Sequence, residues 1–252
     1  MIGIEHINKK FKKLKALDDI SVRLDKGQVV TLIGPNGSGK TTLIKCILGM
    51  VKPLSGKIFI NNELINGDPS YREKMGYMPQ IGRYPDNMKV GQLFSLMKNI
   101  RRADEGKLDN DLIIQFNLVS IFDKPMRTLS GGTRQKVSAA LAFYFHPEIL
   151  ILDEPTAGLD PLSSEILKEK IISEQKRNKL ILISSHVLSE LDELTTHVMY
   201  LQEGRMQFFK DIQTLREETG ELKLGKAIAQ IMRNGLNNDW VKNLFEMNNP
   251  EL

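Results

Sequence analysis

The chain has a single cysteine, Cys46, among its 252 residues, so it cannot form an internal disulfide. It also lacks any apolar run of the roughly 18 residues that a membrane-spanning helix needs. Its net charge of +4 is too small to indicate nucleic acid as a partner. The segment Met1–His6 lacks the basic and then apolar regions of a signal peptide. From these absences we expect a cytoplasmic globular protein that does not bind nucleic acid.

The hydrophobic pattern predicts strands that alternate with helices around a buried parallel sheet, which is α/β architecture. The segment Val29–Ile33 is β-branched and apolar, as is typical of a strand buried on both faces. Other predicted strands are Ile2–Ile7, Ile20–Leu24, Lys57–Ile60, Met75–Met78, Ile149–Leu152, Leu180–Ser184 and Val198–Leu201. The first two of these alternate apolar with polar residues and therefore predict a partly exposed sheet.

Helical spacing dominates the middle of the chain and predicts an inserted helical subdomain at about residues 83–145. The predicted helices are Thr41–Leu48, Val90–Ile100, Asp109–Leu118, Ser130–Phe145 and Leu162–Gln175. Residues 1–215 are therefore predicted to form one α/β domain. Residues 216–252 are mostly polar, with an apolar cluster at Trp240, Leu244 and Phe245, and predict a docked helical tail.

A glycine-rich stretch follows the buried strand and fits the pattern G-x-x-x-x-G-K-[ST]. Its residues are Gly34, Pro35, Asn36, Gly37, Ser38, Gly39, Lys40 and Thr41. Glycines let successive backbone N–H groups converge on phosphate oxygens, and the next helix points its positive N-terminus at the same anion. Lys40 could reach the β- and γ-phosphates of ATP, the Thr41 hydroxyl could bind Mg²⁺, and Thr42 could add a phosphate contact. The alternative is an ordinary glycine-rich turn between a strand and a helix. A full match to the pattern, preceded by a buried strand and followed by a helix, favours the phosphate loop.

Two carboxylates, Asp153 and Glu154, end the apolar strand Ile149–Leu152. The carboxyl ends of parallel strands face the ligand crevice, where the phosphate loop also lies. Asp153 there suits a contact with Mg²⁺, and Glu154 could orient or deprotonate the water that attacks the γ-phosphate. Taken alone, the pair could equally be acids at a solvent-exposed strand end, and it is the phosphate loop that favours the catalytic interpretation.

Two further polar residues follow predicted strands that end at the same crevice. Gln80 comes after Met75–Met78 and could contact Mg²⁺ or the attacking water. His186 comes after Leu180–Ser184 and could contact the γ-phosphate. A lone histidine after a strand is more often structural, so His186 on its own is weak evidence for catalysis.

The segment Leu129–Thr133 contains Ser130, Gly131 and Gly132 at the start of a predicted helix. A hydroxyl, two glycines and a helix N-terminus can hold a phosphate, although in isolation they describe only a capped helix. Together with the motifs above, however, this segment resembles the ATP-binding subunit of an ABC transporter. The similarity runs from Ile2 to about Lys210, with the diagnostic motifs in order.

The resemblance implies a P-loop NTPase fold of the ABC ATPase type: a mostly parallel core sheet, an antiparallel β subdomain and an inserted helical subdomain. It also implies that Leu129–Thr133 closes over ATP held by a second subunit, so that Ser130 and Gly132 contact the γ-phosphate. Asp160 resembles the loop residue that crosses the dimer interface, and Phe11 the aromatic residue that stacks on adenine. The chain departs from the family in having Thr133 where glutamine is usual, and Phe11 where tyrosine is usual.

The same resemblance implies a homodimer, or a pair with a similar ATPase subunit, around two Mg-ATP. It further implies an integral-membrane permease on another polypeptide and a place on the cytoplasmic face of the membrane. We expect the helical block around Arg83–Pro85 to contact the permease, although these residues could also be an ordinary proline-containing turn. The segment Tyr77–Asn87 is similar to that of copper-processing ABC ATPases linked to nitrous oxide reductase maturation, with ABC-2-type exporters as the rival. A soluble ABC-type ATPase of iron–sulfur assembly, or acting on another soluble partner, remains the alternative.

Overall fold

Two β-sheets form the framework of the computed structural model, which describes residues 1–185 and 191–232. The smaller sheet is antiparallel, with the strand order β2-β1-β4-β5. Its strands are β1 (Ile2–Phe11), β2 (Leu14–Leu24), β4 (Ser55–Ile60) and β5 (Glu63–Leu64). Buried and exposed positions are mixed along β1, β2 and β4, because an antiparallel sheet can face water on one side.

The larger sheet has the strand order β10-β9-β3-β8-β7-β6. Its strands are β3 (Val29–Ile33), β6 (Met75–Met78), β7 (Ile149–Asp153), β8 (Leu180–Ser184), β9 (His197–Gln202) and β10 (Arg205–Asp211). Every pairing is parallel except that of the edge strand β10 with β9. Strands β3, β7 and β8 are buried at every position, which explains their nearly unbroken apolar sequences.

Helices cover the larger sheet and fill the interval between β6 and β7. They are α1 (Lys40–Ile47), α2 (Val90–Arg101), α3 (Asp111–Gln115), α4 (Gly131–Phe143), α5 (Pro161–Lys176) and α6 (Ile212–Thr219). Short 3₁₀ helices occupy Ser70–Lys74, Glu105–Lys107, Leu118–Ile121 and Met126–Thr128, and residues 224–232 are also helical. No helix in the described part of the chain is both long and apolar enough to cross a membrane.

The side chains of the central strands alternate between two cores. Ile181 and Ile183 pack with the helical block, whereas Leu182 of the same strand packs with α1 and the antiparallel sheet. This division follows from the strand period of two residues. The central sheet therefore separates the helical block from the antiparallel sheet, and one core packs against each of its faces.

A buried group of charges connects α5 with the start of α3. Lys170 is only 4% exposed, and its Nζ lies 2.7 Å from Asp109 Oδ2 and 3.1 Å from Asp111 Oδ2. Glu174, which is fully buried, places Oε1 3.3 Å from the same ammonium. Burial alone would lower the pKa of Lys170, but the neighbouring carboxylates, Asp109 foremost, raise it on balance.

The predicted fold class is confirmed, while several boundaries were wrong. Strand β1 continues to Phe11 and β2 begins at Leu14, so the first hairpin is longer than predicted. The helix predicted over Asp109–Leu118 is only α3, because Asn117 takes a left-handed conformation with φ of 51° and a 3₁₀ turn follows. Strands β5 and β10 were missed. The predicted tail cluster of Trp240, Leu244 and Phe245 lies outside the described residues.

Candidate functional site

The phosphate loop joins the buried strand β3 to α1, as the sequence pattern predicts. Gly34 and Gly39 both have positive φ, 150° and 106°. A side chain at Gly34 would collide with the Leu201 carbonyl oxygen, and a Cβ at Gly39 would lie 2.5 Å from the Ala16 carbonyl oxygen. Only glycine fits these two positions, so the close packing of the loop against β9 and β2 depends on them.

Lys40 is the first residue of α1, and its side chain lies over its own loop. Its Nζ donates hydrogen bonds to the carbonyl oxygens of Gly34, at 2.7 Å, and Pro35, at 3.1 Å. Burial lowers the pKa of this ammonium, and the charges of Glu154 and Asp153 oppose that effect. The Ser38 hydroxyl is buried and has no hydrogen-bond partner among the described residues. The loop therefore offers polar groups that a phosphate could satisfy.

The acidic pair lies at the carboxyl ends of two adjacent strands. Asp153, 5% exposed, ends β7 and accepts a hydrogen bond from the Ser184 hydroxyl at the end of β8. Burial, and then the charge of Glu154, raise the pKa of Asp153, and the bond from Ser184 partly offsets them. The Glu154 backbone N–H donates to the Ser184 carbonyl oxygen at 3.0 Å, with the residue in the left-handed region at φ of 50°.

Gln80 contacts the acidic pair directly. It follows β6, which pairs with β7, and its Nε2 donates a hydrogen bond to Glu154 Oε2 at 2.8 Å. The structure thus brings Gln80, Asp153, Glu154 and Lys40 together at one end of the sheet, beside Thr41 and Thr42 of α1. The predicted γ-phosphate contact, His186, lies outside the described residues.

The segment containing Ser130 and Gly132 begins α4. The Ser130 hydroxyl accepts from the Thr133 backbone N–H at 3.2 Å and lies 2.9 Å from the Thr133 hydroxyl. Asp160 caps α5, where its carboxylate accepts from Ser163, and it also forms an ion pair with Lys136 of α4. These two segments therefore contact each other, and the predicted roles of Ser130, Gly131, Gly132 and Asp160 at a second copy stay predictions.

Phe11 ends β1 at the tip of the first hairpin. Its side chain is 47% exposed, which leaves ring surface available for a base to stack on. The Lys9 ammonium lies 5.1 Å from the centre of this ring. The exposed ring is compatible with adenine stacking, which stays a prediction.

The sequence interpretation missed two residues that contact predicted site residues: Ser184, which bonds to Asp153, and Lys136, which pairs with Asp160. Ser184 looked like the end of an apolar strand, although a hydroxyl at a strand end beside the crevice was a usable signal. Lys136 gave no signal, because a lysine one turn into a helix is usually a solvated residue. Its partner, Asp160, is distant in sequence.

The fold and the phosphate loop define a P-loop ATPase, and comparison with known proteins gives the family. A family model described as ABC transporter matches residues 17–157. The chain is 35% identical over 208 residues to the ABC transporter ATP-binding protein YhaQ of Bacillus subtilis, covering 81% of this chain and 69% of that protein. It is 31% identical to the lantibiotic transport ATP-binding protein SrtF of Streptococcus pyogenes, covering 84% of this chain and 91% of that one.

Solved structures agree with this result. The chain is similar to an ATP-binding subunit of an ABC transporter with a TM-score of 0.85 and 27% identity, over 92% of this chain and 99% of that one. A dimeric bacterial ABC transporter cassette has a TM-score of 0.74 at 20% identity, over 84% and 99% of the two chains, a likeness that shows the fold alone. The chain belongs to the ABC transporter family, in which it is an ATP-binding, ATP-hydrolysing subunit.

Proposed function

We propose that each ATP is held between the phosphate loop of one copy and the Ser130–Gly132 segment of another, and that its hydrolysis drives a separate membrane permease. The observation that carries this proposal is the convergence of Lys40, Asp153, Glu154 and Gln80 beside the phosphate loop. One chain supplies the loop and the acids at this end of the sheet. The Ser130 segment begins a different helix, α4. Its hydroxyl bonds to Thr133 within its own chain and is proposed to exchange that contact for a neighbour's ATP.

The residues beside the loop fit a magnesium ion. Asp153, Thr41 and Gln80 offer carboxylate, hydroxyl and amide oxygens, the hard ligands that Mg²⁺ prefers. Gln80 donates through Nε2 to Glu154, so its amide oxygen is left for a metal. Bound Mg²⁺ would neutralise charge on the β- and γ-phosphate oxygens.

The protein's own groups then divide the work of hydrolysis. Lys40 exchanges its two carbonyl partners for phosphate oxygens, which stabilises the charge that develops there. Glu154 orients the attacking water and accepts its proton. Gln80 holds the Glu154 carboxylate until the attacking water replaces Gln80 as its hydrogen-bond donor. His186 is proposed as the contact to the γ-phosphate. Phe11 is proposed to stack on adenine, and Thr42 to contact phosphate.

Cross-subunit contacts through a shared ATP would close a homodimer, or a pair with a similar subunit, and release of phosphate would let it open. The solved cassette of the same fold named above is dimeric, and we propose the same arrangement for this chain. We place the pair at the cytoplasmic face of the membrane, bound to the permease through Arg83–Pro85. Residues 1–215 would form the ATPase domain, with its helical subdomain at about 83–145, and residues 216–252 a tail.

Transport is favoured over a role with a soluble partner because the SrtF relative is named for lantibiotic transport. That name gives neither a direction of transport nor a class of permease, so an ABC-2-type exporter partner is proposed on the sequence resemblance alone. The narrower similarity of Tyr77–Asn87 to copper-processing ATPases draws no support from the relatives named above. Expression with candidate permeases and co-purification from membranes tests the choice: recovery only with a soluble complex would overturn the transport proposal.

Glu154→Gln tests the catalytic assignment. The amide keeps the size of the side chain but cannot accept the proton, so turnover is expected to fall by a factor of about 100 or more while ATP binding persists. Steady-state phosphate release and equilibrium ATP binding give the two readouts. The matched control is Glu148→Gln, the same change at an exposed position just before the opposite end of β7, which should keep normal turnover. Substantial hydrolysis by Glu154→Gln would remove Glu154 from its role.

A further inference from the structure

One ion pair joins the two segments that the proposed function assigns to the neighbouring copy's ATP. Lys136 lies on α4, six residues after Ser130, and its Nζ is 2.7 Å from Asp160 Oδ2 at the start of α5. The Lys136 side chain is 24% exposed, and its ammonium lies 5.9 Å from the centre of the Phe116 ring. The ammonium is therefore held between an aromatic face and a carboxylate, which restricts this long side chain.

The carboxylate of Asp160 is fixed from its own side as well. Its Oδ1 accepts from the Ser163 backbone N–H at 3.0 Å, and Oδ2 accepts from the Ser163 hydroxyl at 2.8 Å. The hydrogen bond from Lys136 is the largest cause of the lowered pKa of Asp160, with the two bonds from Ser163 next. Asp160 therefore stays ionised at neutral pH and gives Lys136 a fixed anionic partner.

The backbones of the two segments also touch. A Cβ added to Gly132 would lie 2.6 Å from the Gly158 carbonyl oxygen, so the turn at the start of α4 packs directly under the loop before α5. This close approach sets the spacing of the two segments at one point. The ion pair, a short distance along α4, supplies the second point of attachment.

We propose that Lys136 is a positioning residue that joins the Ser130–Gly132 turn to the Gly158–Asp160 loop, so that both reach the second copy's ATP as one rigid unit. This inference rests on the proposed function, in which ATP closes two copies. Lys136 itself does not touch the nucleotide. Its contribution is to order both segments before closure, which lowers the conformational entropy lost when the dimer forms.

Lys136→Met in a Glu154→Gln background tests the inference. Methionine keeps an unbranched side chain of similar length and removes the ammonium, with its charge and its hydrogen bond to Asp160. The dissociation constant of the ATP-bound dimer is expected to rise about ten-fold, because loss of the pre-ordered segments costs a few-fold in affinity per copy and a symmetric dimer contains two copies. Analytical ultracentrifugation with saturating ATP gives this constant. ATP affinity of the monomer, measured at low protein concentration, should not change.

The matched control is Lys168→Met, which removes an ion pair of the same length. Lys168 lies on α5, 2.7 Å from Glu165, and its side chain is 20% exposed. Lys168→Met should dimerise like the parent, and Lys136→Arg, which keeps the charge, should restore most of the affinity. Melting temperatures of all variants show whether folding has been disturbed.

The outcomes distinguish the positioning role of Lys136 from the proposed closure of two copies by ATP. A weakened dimer for Lys136→Met alone, with restoration by arginine, supports the positioning role. A dimer constant equal to that of Lys168→Met overturns the inference and leaves the proposed function standing. If Lys136→Met also lowers the melting temperature and weakens ATP binding by the monomer, Lys136 only stabilises the fold. That result would overturn the inference as well. A Glu154→Gln parent that never dimerises with ATP overturns both.

Discussion

Among single residues, the contact between Gln80 and Glu154 bears most directly on the catalysis that we propose. The carboxylate that we assign to water activation already accepts a hydrogen bond from Gln80 at 2.8 Å. Glu154 itself has φ of 50°, a region that glutamate seldom adopts, and its backbone N–H is held by Ser184. The backbone of Glu154 is therefore restrained, and Gln80 holds one oxygen of its carboxylate.

Gln80→Ala should lower the turnover number about ten-fold and change ATP affinity by much less. The variant loses a positioning contact to Glu154 and one proposed oxygen ligand, while the phosphate loop stays intact. Steady-state kinetics and equilibrium ATP binding separate the two effects. Gln207→Ala, at an exposed position on the edge strand β10, is the control and should behave as the parent does. Equal turnover in the two variants would contradict the role given to Gln80.

At the scale of elements, the strand, loop and helix around Lys40 could be predicted because each part has a strong local signal. The apolar run of β3, the glycines and the start of α1 are adjacent in the chain. Strand β10 was missed because its half-buried edge position has neither continuous burial nor strict alternation. The contact of Lys136 with Asp160 could not be predicted either, since it depends on how α4 packs beside α5.

The start of α6 allows a separate test of an element's stability. The Asp211 carboxylate accepts from the backbone N–H groups of Gln213 and Thr214, at 3.0 and 2.9 Å, and thereby caps the helix. Asp211→Ala should reduce the free energy of unfolding by about 1 kcal/mol, measured by urea denaturation. Asp211→Ser, which keeps a capping oxygen, should lose less. An alanine variant as stable as the parent would show that the cap contributes nothing.

The same cap has a defined pH dependence. Hydrogen bonds from Thr214, through its hydroxyl and its backbone, hold the pKa of Asp211 below its ordinary value of 3.8. The cap's contribution is therefore complete above that ordinary value and is lost as the pH falls through the lowered one. The difference in stability between parent and Asp211→Ala should accordingly be constant from neutral pH down to about pH 5 and shrink in stronger acid.

At the scale of the whole molecule, the packing of the helical block against α5 depends on buried charge. Lys170→Met would leave the buried Asp109 without its ammonium partner, whereas Glu174 would keep Arg177 and Lys179, so we expect a loss of about 3 kcal/mol. Lys98→Met is the control, since its partner Glu105 is exposed and such a pair contributes about 1 kcal/mol at most. Urea denaturation measures both; similar losses would contradict a special role for Lys170.

The sign of the pH effect at Lys170 is opposite to that at Asp211. Because its pKa is raised above the ordinary value of 10.5, its stabilising contribution is complete below that value and is lost as the pH rises through the raised one. Parent and Lys170→Met should therefore differ by a constant amount at neutral pH and converge only in strong alkali.

The assembly of two copies around shared ATP could be inferred from the sequence only through family resemblance. Each chain would supply the phosphate loop to one ATP site and the Ser130–Gly132 segment to the other, and nothing in a single sequence shows that the two belong to different sites. The most direct measurement is a structure of the Glu154→Gln protein with bound Mg-ATP and its membrane partner. We predict that Lys40 of one copy and Ser130 of the other both lie about 3 Å from oxygens of the same triphosphate. A complex in which Ser130 of the second copy lies far from every nucleotide would contradict the account.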